Sequence, residues 1–226
     1  MADLLLTAVE ARVIAALSEK SISTPQYYPM TVNAIMLASN QKSSRDPVMQ
    51  LHEGDVGAAL LDLAEKGLAQ RDDAGSRVPK WRQSFQHHLL LQPPAFAVLV
   101  TLILRGPQTP AELRANTERL HRFADISSVD GFLDELAART PEAGGPLVVR
   151  LARAPGAREA RWAQLLGGSV EAPAVRPADE AASGPEPVGA GEIAALRANQ
   201  QRLQAELVLL RAQVQRLATE LGVDLG

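Results

Sequence analysis

The residues able to do chemistry in this 226-residue chain are few and scattered. There is no cysteine, which removes thiolate metal ligands, cysteine nucleophiles and disulfides at once. Four histidines remain: His52, His87, His88 and His121. His87 and His88 are adjacent, so on a helix or a strand their rings diverge, and no nearby acid is spaced to complete a metal site. A Gly-x-Ser-x-Gly elbow, a Gly-rich phosphate loop before a helix and a His-Glu-x-x-His pair are all missing. Glu10, Glu19, Asp62 and Glu65 fall on amphipathic helical stretches, the usual place for solvating carboxylates. The sequence predicts no enzyme, no cofactor and no metal.

What it offers instead is a set of bases and amides in connectors and hairpins. Asn40, Gln41, Lys42 and Arg45 stand together between two helical stretches. Arg77, Lys80 and Arg82 lie on one β-capable run, and Arg150, Arg153, Arg158 and Arg161 on another pair. Such donors suit phosphate contact, which positions a protein on a duplex without specifying sequence. Asn40, Gln41, Lys42, Arg45, Arg77, Lys80, Arg82, Arg158 and Arg161 are therefore the candidate nucleic-acid-binding residues. The competing use is pairing with acids on neighbouring helices, and nine bases against ten acids in residues 1–88 leave little surplus.

The elements that carry these groups form a repeat. The stretch from Thr7 to Pro25 matches that from Gln92 to Pro110 at a spacing of 85, which aligns Thr24-Pro25 with Thr109-Pro110. Val56, Leu60 and Leu63 match Val129, Leu133 and Leu136 at 73, and Trp81 matches Trp162 at 81. Apolar positions at helical spacing predict helices over about 7–19 and 93–105, and over about 53–66 and 127–139. Thr109-Pro110-Ala111-Glu112 is a capping box with Pro at the first helical position. In the first repeat Pro29 interrupts, and Thr31 is the better cap. Hairpins follow at 68–72 with 77–83 and at 147–153 with 158–165. Alternation on the strand sends Trp81 inward and Lys80 and Arg82 outward.

Three helices and a hairpin in about 80 residues is the order of a winged-helix domain, a helix-turn-helix variant with a β wing. The expected architecture is mainly α with small β wings (α+β): one winged helix over 1–88 and a second over 89–167. Residues 168–191, rich in Pro, Ala, Gly and Glu, read as a flexible linker. In residues 192–222, Ile193, Gln200, Leu207, Val214 and Leu221 occupy a positions, and Leu196, Leu203, Leu210 and Leu217 occupy d positions. That heptad pattern predicts a C-terminal coiled-coil helix and a parallel homodimer, with Glu192–Arg197 and Glu206–Arg211 at g-to-e spacing. A lone helix packing back on a winged helix is the other reading.

The segments LTAVEARVIAALSEK, Asn40 to Met49, LLRGPQTPAELR, Pro146 to Arg153 and Pro155 to Glu159 resemble the YceH family of bacterial proteins. The resemblance spans nearly all of 1–167 and implies a tandem winged-helix fold, but no activity. Ser43-Ser44 and Asp46 stand where the family pattern has Thr-Asn and Glu.

The third helix of each repeat, which in this fold class enters the major groove, carries the wrong charge for that task. Without its apolar face the first keeps Glu53, Asp55, Asp62 and Glu65 against Lys66; the second keeps Asp130, Asp134 and Glu135 against Arg139. Base edges are read by Arg, Lys, Asn or Gln, and phosphates repel carboxylates. The net charge of −3 lies entirely in residues 168–226. Two functions stay open: a dimeric DNA-associated regulator using wing and connector bases, or a non-enzymatic protein–protein interaction scaffold that binds no DNA. The opening Met1-Ala2-Asp3 has an acid and no basic residue, unlike a secretory signal. The longest apolar run, Ala95 to Leu104, is half of a membrane span. A cytoplasmic protein with no membrane contact is expected.

Overall fold

The computed structural model describes residues 4–72, 78–153 and 156–167. All the elements below belong to one compact unit, Met1–Val175. They are mixed helix and strand with small antiparallel sheets, in the order α1 Ala8–Ser23, β1 Met30–Thr31, α2 Val32–Ser39, α3 Glu53–Glu65, β2 Ala69–Asp72, β3 Lys80–Gln83, α4 Phe85–His88, α5 Pro93–Arg105, α6 Pro110–Asn116, α7 Ile126–Ala137, β4 Val148–Arg150 and β5 Trp162–Gln164. The segments 168–191 and 192–222, with the heptad positions Ile193 to Leu221, lie outside the described residues, as does Arg77.

Local chemistry accounts for the helix starts. Thr7 caps α1 in a capping box with Glu10: the Thr7 N–H donates to the Glu10 carboxylate at 2.7 Å, and the Glu10 N–H donates to the Thr7 hydroxyl at 3.2 Å. Thr109 and Glu112 repeat the device at α6, at 2.8 and 3.2 Å. The α2 start is capped by Thr31, whose hydroxyl accepts from the Ala34 N–H. Asp125 caps α7 through the Ser128 N–H at 2.7 Å.

The two repeats share one core. Residues Ala95 to Leu104 of α5 are all buried and pack against α1, itself buried from Glu10 to Ser18. The longest apolar run of the chain is thus an internal helix, and no described helix is long and apolar enough to cross a membrane. Val56, Leu60 and Leu63 of α3 and Val129, Leu133 and Leu136 of α7 are fully buried in matching positions. Burying one such side chain contributes roughly 1.5–3 kcal/mol. Trp81 and Trp162 are each 5 % exposed. Trp81 pairs with Met30 across β1–β3, and Trp162 pairs with Gln108 in an isolated bridge just before α6. Each tryptophan therefore closes its hairpin onto the residue just before the N-cap of the second helix.

One alignment shifts. Thr24-Pro25 opens a short 3-10 turn, Pro25–Tyr27, and caps no α-helix; the counterpart of Thr109 is Thr31. The spacing between repeats falls from 85 (Ala8 to Pro93) to 78 (Thr31 to Thr109) to 73 (Val56 to Val129). From the first helix start to the cap of the second, the first repeat is therefore longer by seven residues, three of them in α1 itself and four in the link that follows it. From that cap to the third helix it is longer by a further five, one in α2 and four in the connector.

Candidate functional site

Residues 40–52 join α2 to α3; in the first half of this connector Asn40, Gln41 and Arg45 turn inward, while Lys42, Ser43 and Asp46 stay exposed. The Asn40 amide donates to the Leu51 carbonyl at 2.8 Å and accepts from the Leu51 N–H at 2.8 Å, pinning both ends of the connector. Arg45 is buried. Its guanidinium meets both Glu19 oxygens at 2.6 and 3.3 Å and donates to the carbonyls of Ala38 and Ser44. The Gln41 side-chain amide oxygen, Oε1, accepts from Arg45 at 3.1 Å and from Lys20 at 3.4 Å. The connector also reaches the second repeat: the Asp46 N–H donates to the Leu104 carbonyl at 2.8 Å, and Arg105 donates to the Ser44 hydroxyl at 2.6 Å. Asn40 thus closes the connector on itself, Gln41 and Arg45 hold it onto α1, and Ser44 and Asp46 bond it to α5, so the side-chain donors of Asn40 and Arg45 are already engaged within the protein.

Two more of the candidate bases have internal partners. Arg82 lies 2.5 Å from Asp72 across β2–β3. Arg161 reaches Glu112 at 2.8 Å and the Pro107 carbonyl at 2.7 Å, which ties β5 to the start of α6. Lys42 and Arg158 are exposed and Lys80 is half-buried, with no ion-pair partner among the described residues.

Of these, Arg158 lies beside α7 with two further unpaired arginines, Arg150 and Arg153. A groove of about 550 Å³ between α7 and the β4–β5 hairpin is lined by Arg150, Arg153 and Arg158, with Ile126, Asp130 and Glu159 among its other walls. All three arginines are exposed and without an ion-pair partner among the described residues. Glu159 and Asp130 keep the groove from being uniformly positive. On α3, Glu53, Asp55, Asp62 and Glu65 are exposed, as are Asp134 and Glu135 on α7. The acidic third helices face solvent.

Two buried charges escaped the sequence reading. Glu10 meets Lys66 at 2.5 Å. Its burial raises the carboxyl pKa, but hydrogen bonds from Lys66 and Thr7 outweigh that and hold it below the usual range. Arg12, in the same helix, donates to the carbonyls of Ser39 at 3.2 Å and Pro47 at 2.7 Å, while its Nε has no partner. Burial and the nearby Arg45 charge lower the Arg12 pKa, against a raising effect of Asp46. The available signal was an acid and a base two positions apart inside the apolar run of α1. His87 and His88 are exposed on α4, and among the described residues no group of three or more His, Asp or Glu could hold a metal ion.

Residues 6–157 match the family described as "Protein of unknown function, DUF480". A UPF0502 protein of Methylibium petroleiphilum is 56 % identical over 221 residues, covering 97 % of this chain and 91 % of its own. A UPF0502 protein of Acidovorax sp. is 50 % identical over 212 residues, 89 % of this chain and 94 % of its own. One from Leptothrix cholodnii is 48 % identical over 220 residues, 97 % of each.

Proposed function

The chain belongs to the DUF480 family (UPF0502) of uncharacterised bacterial proteins, and from that premise we propose that it is a tandem winged-helix protein that associates with duplex DNA as a homodimer. The element order supports the fold reading. In each repeat three helices precede a hairpin, and the residue just before the N-cap of the second helix pairs with the hairpin's tryptophan. Such a unit places its third helix and its wing side by side.

The observation that carries the DNA reading is the trio Arg150, Arg153 and Arg158, unpaired beside α7. Guanidinium groups with no internal partner are available for phosphate oxygens, and Lys80 adds a fourth charge on the other hairpin. Acidic third helices argue for backbone contact without base reading. The heptad of residues 192–222 supports dimerisation from the sequence. Two linked DNA-contacting units raise the effective local concentration of the second contact.

The test is a salt titration of binding to a mixed-sequence duplex, read by fluorescence anisotropy. Log affinity is expected to fall linearly with log salt. The R150A/R153A/R158A variant is expected to flatten that slope by roughly three, about one for each lost phosphate contact. No detectable binding by folded protein at about 50 mM salt would overturn the proposal and leave the protein-scaffold reading. That alternative draws on the exposed apolar Leu37 and Leu61 beside an acidic α3. Sedimentation of the full chain tests the dimer: L203D/L210D is expected to yield a monomer, and an unchanged mass would overturn the zipper.

A further inference from the structure

The residues that make the first repeat longer than the second lie around a cleft. It has a volume of about 950 Å³ and is bounded by the end of α1, the Gln41–Ser44 segment, the end of α5 and the end of α6. Ser23 lines it from the last turn of α1, Thr24 from the start of the longer link between the first two helices, and Lys42 and Ser43 from the longer connector. The second repeat contributes Arg105 and Arg119. The size falls at the upper end of small-molecule sites.

Its charge is one-sided. The lining carboxylates are already neutralised: Glu19 by Arg45 at 2.6 Å and Lys20 at 3.4 Å, and Glu118 by Arg122 at 3.0 Å. Lys42, Arg105 and Arg119 come from three different elements and have no ion-pair partner among the described residues. Arg105 is half-buried and has one hydrogen bond, to the Ser44 hydroxyl, so most of its five N–H donors are uncommitted. Burial holds its pKa below the ordinary value, with Glu19 raising and Arg45 lowering it further. A desolvated guanidinium with free donors favours an oxyanion partner over water. Thr101, Leu104 and Leu120 add an apolar or weakly polar wall beyond the cations.

We propose that this cleft binds a small phosphorylated ligand of about nucleotide size, with Arg105, Lys42 and Arg119 as the phosphate-holding groups. The hydroxyls of Ser23 and Ser43 supply further donors. A ligand spanning Lys42 and Arg105 tethers the first repeat to the second and stabilises the folded unit by linkage. The site shares Gln41 and Lys42 with the candidate DNA contacts, and its other phosphate-holding groups, Arg105 and Arg119, are not among them, so it stands independently of DNA binding.

Calorimetric titration of the full chain with pyrophosphate and with ADP, at matched ionic strength, tests it. Saturable binding of either probe is expected, with K42A/R119A weakening it at least tenfold and R158A leaving it unchanged. Lys42 and Arg119 are exposed, so that double variant keeps the fold; R105Q is the second, more intrusive probe and should weaken binding as strongly. ADP binding tighter than pyrophosphate assigns the apolar wall to the base, and equal binding assigns recognition to the phosphates alone; both support the site. No saturable binding of either probe at millimolar concentration, or binding untouched by K42A/R119A, overturns it.

Discussion

The Arg45 guanidinium, with none of its side-chain surface exposed, lies 2.6 Å from the Glu19 carboxylate, 26 residues earlier in the chain. This pair fixes the α2–α3 connector to α1. Through Ser44 and Asp46 the same connector is bonded to α5 of the second repeat. The most distinctive polar stretch of the sequence thus organises the junction of two helical units.

Removing Arg45 leaves the Glu19 carboxylate, itself mostly buried, without its principal partner and orphans the carbonyls of Ala38 and Ser44. Breaking a buried pair in this way costs about 3–5 kcal/mol, a large share of a typical domain's stability. R45A is expected to lower the urea midpoint sharply, while K42A, at an exposed position two residues from Ser44, should stay within about 0.5 kcal/mol of the native protein. Replacing both partners together, R45M/E19L, should recover much of the loss. An R45A variant as stable as the native chain would refute the structural role.

Acid should act through the same carboxylates. Burial pushes the Glu19 carboxyl up, but hydrogen bonds and charge from Arg45, aided by Lys20, hold it below its ordinary value of 4.5; Glu10 is held down likewise by Lys66 and Thr7. A folded pKa below the unfolded one means that this stabilisation is complete above about pH 4.5. It is lost as pH falls further, through the lowered folded values. Urea midpoints are expected to hold between pH 7 and 5 and to drop below pH 4.5. E19Q, weaker at pH 7, should show a shallower acid drop. A decline already complete by pH 5 would assign the loss to other groups.

Much of the fold was legible because its signals are local and periodic. The Thr109–Glu112 box, the Thr31 cap and the buried faces of α3 and α7 each depend on residues within a few positions of one another. The likeness of Thr24-Pro25 to Thr109-Pro110 marks no helix start, since Thr24-Pro25 opens a 3-10 turn, and the interruption by Pro29 points instead to Thr31, which is the cap. Which bases face solvent was not legible. Arg45 finds Glu19, and Arg161 finds Glu112 49 residues away, only once the helices pack. Composition shows that bases and acids nearly balance; packing decides which base is spent.

That division separates Arg161 from Arg158 in function. Arg161 is bonded to Glu112 and the Pro107 carbonyl, with its side chain half-exposed. An exposed pair of this kind contributes about 0–1 kcal/mol, so R161A should be nearly neutral for stability. A phosphate contact from Arg161 would first have to give up its Glu112 partner, whereas Arg158 has none to give up. R158A is therefore expected to weaken duplex binding more than R161A, and to reduce the salt slope by about one while R161A changes it less. Equal losses in the anisotropy titration would mean that the Glu112 pair opens on DNA.

The two tryptophans provide a reporter for each repeat. Trp81 sits opposite Met30 in the first and Trp162 opposite Gln108 in the second, each 5 % exposed. In W162F all indole emission comes from the first repeat, and in W81F all of it comes from the second. Both should be blue-shifted in the native state and shift red on unfolding, because each indole moves from an apolar core into water. The packing of α1 against α5 makes the two cores continuous, and the connector bonds from Ser44 and Asp46 reinforce that joint. Fluorescence and far-ultraviolet dichroism should then give one coincident urea transition within each variant, as a two-state unit requires. A fluorescence midpoint separated from the dichroism midpoint in either variant would mean that the repeats unfold in sequence. Adding R45A should produce that separation if the connector is what couples them, because it loosens the junction while leaving both tryptophan sites untouched.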